Sequence, residues 1–266
     1  MTLKEAAYWD EVGKVWKEDR PDPLWRVHSD TVNTALLNRW LPSVCVERLL
    51  KTDVFDEACS QGLFKILSAH ANCVMGIDIS TETLIAARDR HSAFRTTAAD
   101  VRSLPFADDS FDVILSNSTL DHFPVTVDLE TSLGELHRIL RPGGELLLTM
   151  DNPVNPVVAL RNALPFHWLN RIGVVPYYVG KTFGHRRLRR MLEAVGFEIV
   201  EVDAILHCPR VFAVALARLV SSGTPISRRF LSCLLAFERL SHLPTRFLTG
   251  HFTAIRAVKR AGRSSP

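Results

Sequence analysis

The sequence predicts an α/β fold, doubly wound around a mostly parallel sheet, on three observations. Residues 52–80 read as strand, small-residue turn, helix and strand, with an acid about 20 residues beyond the turn, the layout of a nucleoside-binding unit. Short apolar strands then alternate with helical runs as far as Met150. A last apolar run, Phe252–Val258, adds a seventh strand after a long and less regular stretch.

Residues 1–50 hold four of the five tryptophans, Trp9, Trp16, Trp25 and Trp40. Val32, Leu36, Leu37, Trp40 and Leu41 recur at helical spacing and predict a helix ending before Pro42. This region reads either as a helical lid over a ligand or as aromatic packing on the core. A first strand at Val54–Phe55 ends in Asp56 and Glu57, and the turn Ala58-Cys59-Ser60-Gln61-Gly62 leads into a helix over Leu63–Ala71. The second strand, Cys73–Ile77, closes on Asp78. In such a unit small turn residues let the backbone approach a ligand, and the second acid takes ribose hydroxyls. The hydride-transfer version requires G-x-G-x-x-G, which this stretch lacks.

Ser80 is a fitting N-cap for a helix to about His91, and a third strand, Phe94–Ala98, ends at Asp100. A tight loop feeds the fourth strand, Asp112–Asn117, and Asp121 and His122 follow its carboxyl end, where open parallel sheets bind ligands. Leu129, Leu133, Leu136, Ile139 and Leu140 mark a helix that stops at Arg141-Pro142-Gly143-Gly144 before a fifth strand, Glu145–Met150. Residues 151–184 are rich in Pro, Asn and aromatics; His167, Trp168, Tyr177 and Tyr178 there either line a substrate pocket or pack the insertion onto the sheet. Leu188, Leu192 and Val195 define a helix with arginines on its outer face, stopped by Gly196 before a sixth strand at Phe197–Val202. Two apolar helical runs in 205–249, Val211–Ser221 and Ile226–Leu240, offer a helical pair on the core or an amphipathic surface for peripheral membrane contact. The organisation expected is therefore a lid at 1–50, a core at 51–204 with its insertion at 151–184, a helical insertion at 205–249, a closing strand at 250–260 and a polar tail at 261–266.

Composition narrows the function classes. A net charge of +3 is too small for a nucleic-acid-binding face. Five scattered cysteines without a C-x-x-C pair read as reduced thiols of a cytoplasmic protein and imply no metal. The start MTLKEAAYWDEVGK has no apolar signal core, and no run approaches the roughly 20 apolar residues of a membrane span.

DEACSQG, LPFADDSFDV, LHRILRPGGELLLTM and GFEIVEV, in this order and spacing, resemble segments of the class I S-adenosylmethionine-dependent methyltransferases, in their small-molecule branch. The resemblance implies a Rossmann-like seven-stranded sheet with its last strand antiparallel, and S-adenosylmethionine as cofactor. In the family's D-x-G-x-G-x-G register Asp56 and Gly62 are kept, while Ala58 and Ser60 replace glycines. The implied cofactor residues are Asp56, Ala58, Ser60, Gly62, Asp78, Ile79, Asp100, Val101, Ser116 and Asn117. His122 is the candidate base, with Asp121 and Tyr177 as further catalytic candidates. The implied activity is methyl transfer to a hydroxyl or carbon of a small-molecule or lipid-like acceptor. Its rivals are a protein of this fold that binds the cofactor but catalyses cyclisation or rearrangement, and a non-catalytic scaffold. No Asn/Asp-Pro-Pro-Tyr/Phe signature of base methylation follows the fourth strand.

Overall fold

The computed structural model describes residues 3–19, 23–173, 175–217, 220 and 222–260; the tail 261–266 and the side chain of Trp16 lie outside the described residues. Seven strands, β1 (Val46–Lys51), β2 (Ala71–Asp78), β3 (Arg95–Ala98), β4 (Phe111–Asn117), β5 (Leu140–Asp151), β6 (Phe197–Ile205) and β7 (Phe252–Lys259), form one sheet in the order β3-β2-β1-β4-β5-β7-β6. β7 runs antiparallel between β5 and β6, and the pairings from β3 to β5 are parallel. The expected doubly wound sheet with an antiparallel last strand is the observed one.

Two apolar layers sandwich the sheet. On one face Leu49, Val113, Leu115 and Leu147 pack with Leu36, Leu37 and Trp40 of helix α2 (Pro23–Trp40) and with Leu67 of α4 (Phe64–His70). On the other, Leu50, Ile114, Leu146 and Leu148 meet Leu129, Leu133 and Leu136 of α6 (Thr126–Ile139) and Leu188 and Leu192 of α9 (His185–Val195). Alternation along a strand sends successive side chains to opposite faces, so Leu49 and Leu50 serve different layers. Gly196 ends α9 in the left-handed conformation at φ 115. Between Phe111↔Leu140 and Val113↔Glu145 the β4–β5 register shifts, and the Arg141–Gly144 stretch is looped out there.

The first strand differs from expectation. It is Val46–Lys51, whereas Val54 precedes and Phe55 begins a short helix, α3 (Phe55–Cys59). The cause is a buried ion pair. Lys51 ends the strand with its side chain wholly buried; its ammonium donates to the Asp53 carbonyl (2.5 Å) and to Glu57 Oε2 (2.8 Å). Burial alone would push the Lys51 ammonium down, but Glu57, with Asp56 and Asp53, holds it above its ordinary value. Glu57 Oε1 accepts from the Leu63 amide (2.8 Å), tying α3 to the start of α4. Gly62 lies at φ +53, and a Cβ there would sit 2.7 Å from the Glu57 carboxylate and 2.9 Å from its backbone nitrogen, so only glycine closes this turn.

The N-terminal helices α1 (Leu3–Asp19) and α2 cross the carboxyl end of the sheet. Asp10 of α1 accepts from the Ser80 hydroxyl (2.7 Å), and Ser80 in turn caps α5 (Thr81–Arg90). The insertion after β5 forms α7 (Pro156–Ala163) and α8 (Phe166–Arg171); the later one forms α10 (Arg210–Ala217), α11 (Pro225–Ala236) and α12 (Arg246–Thr249). α10 and α11 pack on α2. No described helix is long and apolar enough to cross a membrane.

Replacing Lys51 by methionine leaves Glu57 buried without its counter-charge. It should cost about 3–5 kcal/mol in urea unfolding, part of which Glu57→Gln in the same background restores. A loss below about 1 kcal/mol would mean that the pair does not hold this crossover.

Candidate active site

A cavity of about 330 Å³ opens where the carboxyl ends of β1, β2 and β4 meet α1 and α2. α2 contributes Trp25, Arg26, Ser29, Asp30 and Asn33, one face of the helix at spacings of three and four; α1 contributes Glu5 and Trp9. Thr52, Asp53, Phe55 and Asp56 follow β1, Asp78 and Ile79 end β2, and Asp100, Val101 and Arg102 follow β3. Asn117, Ser118, Thr119, His122 and Phe123 come from the end of β4, with Tyr177 and Arg210 from the two insertions.

Of the residues read from sequence, Asp56, Asp78, Ile79, Asp100, Val101, Asn117, His122 and Tyr177 line this cavity. Ala58, Ser60, Gly62, Ser116 and Asp121 do not. Because 55–59 is helical rather than a loop under the ligand, Ala58 packs towards the core. The Ser60 hydroxyl donates to Asp30 Oδ2 (3.1 Å) and accepts from the Gly62 amide (3.1 Å). The two departures from glycine thus leave the cavity clear. Ser116 is buried beneath it, accepting from the Thr52 hydroxyl (3.1 Å).

Asp78 is held by two backbone amides, those of Val54 (3.2 Å) and Ser80 (2.9 Å). Its carboxyl is nonetheless pushed up to about 8, mainly by burial and then by the charge of Asp53. Burial pushes Asp53 up to about 6, with Lys51 partly offsetting it and Asp56 reinforcing it; Asp30 is raised to about 6 by burial and Asp56. Asp56 is bridged by Arg26 (3.2 Å) and by the Asn117 amide (3.4 Å), whose oxygen accepts from Thr149 (2.7 Å). At Asp100 burial opposes ionisation, but the Arg102 fork at 2.7–3.1 Å outweighs it and holds the carboxyl below its ordinary value. Arg102 also reaches Glu5 of α1 (2.8 Å), joining the helix to the strand end.

On the opposite wall, His122 Nδ1 lies 2.9 Å from the Tyr178 carbonyl. A carbonyl only accepts, so Nδ1 carries a proton, and in the neutral ring Nε2 is the nitrogen with the lone pair. Nε2 lies 3.8 Å from Asp121 Oδ1, a buried oxygen without a hydrogen bond. The other Asp121 oxygen accepts from Ser118 (3.0 Å) and from the Asp151 amide (3.1 Å). Burial raises the Asp121 carboxyl, and His122 partly offsets this. Trp9 and Tyr177 flank the imidazole, at 4.8 and 5.6 Å between ring centres. Gly180, whose amide donates to the Asp121 carbonyl (2.7 Å), brings the insertion so close that a Cβ would strike Phe123 O.

Sequence reasoning missed Thr52, Asp53, Arg26, Asp30, Ser118, Arg102 and Arg210. Arg26, Ser29 and Asn33 do recur at helical spacing with Asp30, a polar face that marks a helix side turned to a polar cavity. Nothing local marks Ser118, which takes left-handed backbone at φ 52 directly after β4.

Residues 55–148 match the methyltransferase domain family. This segment, in this sheet, carries the domain of the class I S-adenosylmethionine-dependent methyltransferases, as the sequence motifs indicated. The chain is 36% identical over 97 residues to a malonyl-acyl-carrier-protein O-methyltransferase of Erwinia billingiae, covering 36% of this chain and 38% of that protein. It is 34% identical over 158 residues to the 27-O-demethylrifamycin SV methyltransferase of Amycolatopsis mediterranei, covering 53% and 54%. It therefore spans about half or less of the length of these relatives. The crystal structure of the 4+2 cyclase SpnF superposes with a TM-score of 0.55 at 18% identity, covering 86% of this chain and 80% of that one, a likeness of fold.

The raised carboxyls set a pH dependence. From about pH 4 up to about 8 the folded chain keeps protons on Asp53 and Asp78 that the unfolded chain has released, so stability falls as pH rises through that window. The ligand-free Tm should fall between pH 6 and pH 8, and less steeply in Asp78→Asn. An identical slope in the variant would remove Asp78 as the source.

Proposed function

We propose that the chain transfers the methyl group of S-adenosylmethionine to a small-molecule or lipid-like acceptor, at a hydroxyl or carbon. The observation that carries the reading is the acid-rich cavity at the carboxyl ends of the strands, lined also by His122. Six carboxylates and three arginines line it, and three of those acids, Asp30, Asp53 and Asp78, have raised carboxyls. A cationic ligand relieves that excess of negative charge, and a sulfonium cofactor is cationic.

The residues present fit such a cofactor. Asp78 presents its carboxyl to ribose hydroxyls, Ile79 and Val101 offer apolar faces to the base, and Asp100 with the Val101 amide accepts from and donates to its edge. Asn117 and Asp56 take the amino-acid end beside Arg26. When bound, the cofactor supplies an activated methyl on a leaving group that departs neutral. The chain aligns donor and acceptor and excludes water with α1 and the 151–184 insertion. His122 Nε2 takes the acceptor's proton, and Asp121, 3.8 Å away, steadies the resulting imidazolium. Asp121 is thus a positioning residue, while Tyr177 and Arg210 bound the acceptor side.

Titration calorimetry with S-adenosylmethionine and S-adenosylhomocysteine tests the cofactor site. Asp78→Ala should lower affinity about 10- to 100-fold. Wild-type protein that binds neither ligand up to millimolar concentration would sink the reading. With acceptors screened by labelled methyl transfer, His122→Ala should reduce kcat on the order of 100-fold or more while leaving cofactor affinity within about twofold. Equal losses in both would make His122 a packing residue, and cofactor binding without any methyl transfer would favour a rearrangement on this fold.

A further inference from the structure

The charge of this chain is strongly divided. Residues 1–151 carry a net charge of −9 and residues 152–266 a net charge of +12, which the overall +3 conceals. Residues 152–192 hold seven arginines and lysines and no aspartate or glutamate. That acid-free stretch is the insertion after β5 together with α9, and it is also where apolar side chains are left uncovered. Val157 and Leu160 on α7, Leu164 at its end, Trp168 on α8 and Ile172 at its end are 43–70% exposed. Among the described apolar residues of 154–176, Val158, Leu169 and Val175 are buried. Monomeric proteins seldom leave so many large apolar side chains of one short segment in water.

The structure places cations at its border. Asn162 of α7 donates to the Thr182 hydroxyl (2.8 Å), bringing Lys181 alongside α7. A Cβ on Gly184 would lie 3.2 Å from Val154, so the first turn of α9, with Arg186 and Arg187, adjoins α7. Arg171 sits between Trp168 and Ile172 at the end of α8. Arg161 is committed to Asp151 (2.6 Å) and Arg189 to Glu193 (2.8 Å), but no described carboxylate is within ion-pair distance of Arg171, Lys181, Arg186 or Arg190.

We propose that α7 and α8 are the docking surface of this protein for an anionic lipid bilayer, with Leu160, Trp168 and Ile172 entering the interface and Arg171, Lys181, Arg186 and Arg190 meeting the head groups. A short amphipathic face with an exposed tryptophan and a cationic rim is the composition that the acyl–headgroup boundary accepts. Anionic lipid adds attraction for each nearby lysine or arginine. The same insertion reaches the cavity through Tyr177, so the docked face adjoins its acceptor side.

The test is co-sedimentation of the full chain with phosphatidylcholine vesicles, with and without about one-third phosphatidylglycerol. Binding is expected to the anionic vesicles only and to weaken as salt shortens the screening length. Arg186→Gln with Arg190→Gln should lower the partition coefficient about 25-fold, and Trp168→Asp with Ile172→Asp should abolish binding. Both pairs are exposed, so thermal unfolding should be unchanged; if the aspartates unfold the chain, Leu160→Ser with Leu164→Ser takes their place. Failure to bind anionic vesicles, or wild-type binding by the aspartate variant, overturns the proposal. So does a concentration-dependent dimer that the aspartates dissociate, which would assign these side chains to a second copy. None of these outcomes depends on the cofactor titration.

Discussion

The geometry of the candidate site depends on one buried ion pair. Lys51 and Glu57 face each other with no exposed side-chain surface, across the break between β1 and α3. Taking two charges out of water is costly, and the pair is tolerable because its remaining polar atoms are also satisfied. The ammonium finds the Asp53 carbonyl, and the second Glu57 oxygen finds the Leu63 amide. Those contacts force the chain to turn over Glu57, which only a glycine at position 62 allows. As a result Asp53, Phe55 and Asp56 face the cavity while Ala58 and Ser60 point elsewhere.

From that crossover follows the electrostatic character of the cavity. Strand ends in a parallel sheet bring their terminal residues together, and here β2 ends in Asp78 while Asp53 and Asp100 each follow two residues after β1 and β3. Asp53 and Asp78 are both raised first by burial, and then Asp53 makes Asp78 harder to ionise while Asp56 does the same to Asp53. Arg26 and Arg102 are tied to particular carboxylates, Asp56 and Asp100, and fix α2 and α1 against the strand ends. The N-terminal helices therefore dock through the same charges that line the cavity. Losing either arginine would loosen a helix and alter the cavity's charge at once.

Much of this was legible in the sequence, and the exceptions have physical reasons. The strands from Cys73 to Met150 and the helices between them follow simple periodicity, and Ser80 caps α5 as expected. The first strand was misplaced because VERLLK places three charged residues in six, and a wholly buried lysine breaks the alternation that marks a strand. Val54 and Phe55 were the nearer apolar pair, and the match to the methyltransferase domain also begins at Phe55, after the true strand. Likeness in the motif thus preserved the order of elements but not the register of the first strand. Asp121 with His122, and Tyr177, were singled out from two separate stretches. What brought them together, the Tyr178 carbonyl and the close approach at Gly180, lies in an insertion without periodicity to read.

The insertions connect the cavity to the outer surface. Residues before 152 supply the acids that line the cavity, while basic residues after 152 shape the rim and the outer surface. Tyr177, Arg210 and Phe252 are the points at which that basic half lines the cavity. Behind them, burial works against the Asp151 carboxylate, but His251, Arg161 and Arg210 hold it well below its ordinary range. His251 Nε2 lies 3.1 Å from Arg210 Nη1 and 3.3 Å from Asp151 Oδ1, and burial lowers the proton affinity of this imidazole. The cavity wall there is consequently a network of fixed charges rather than a flexible loop. Arg210, buried among these partners, presents an already oriented guanidinium to the cavity.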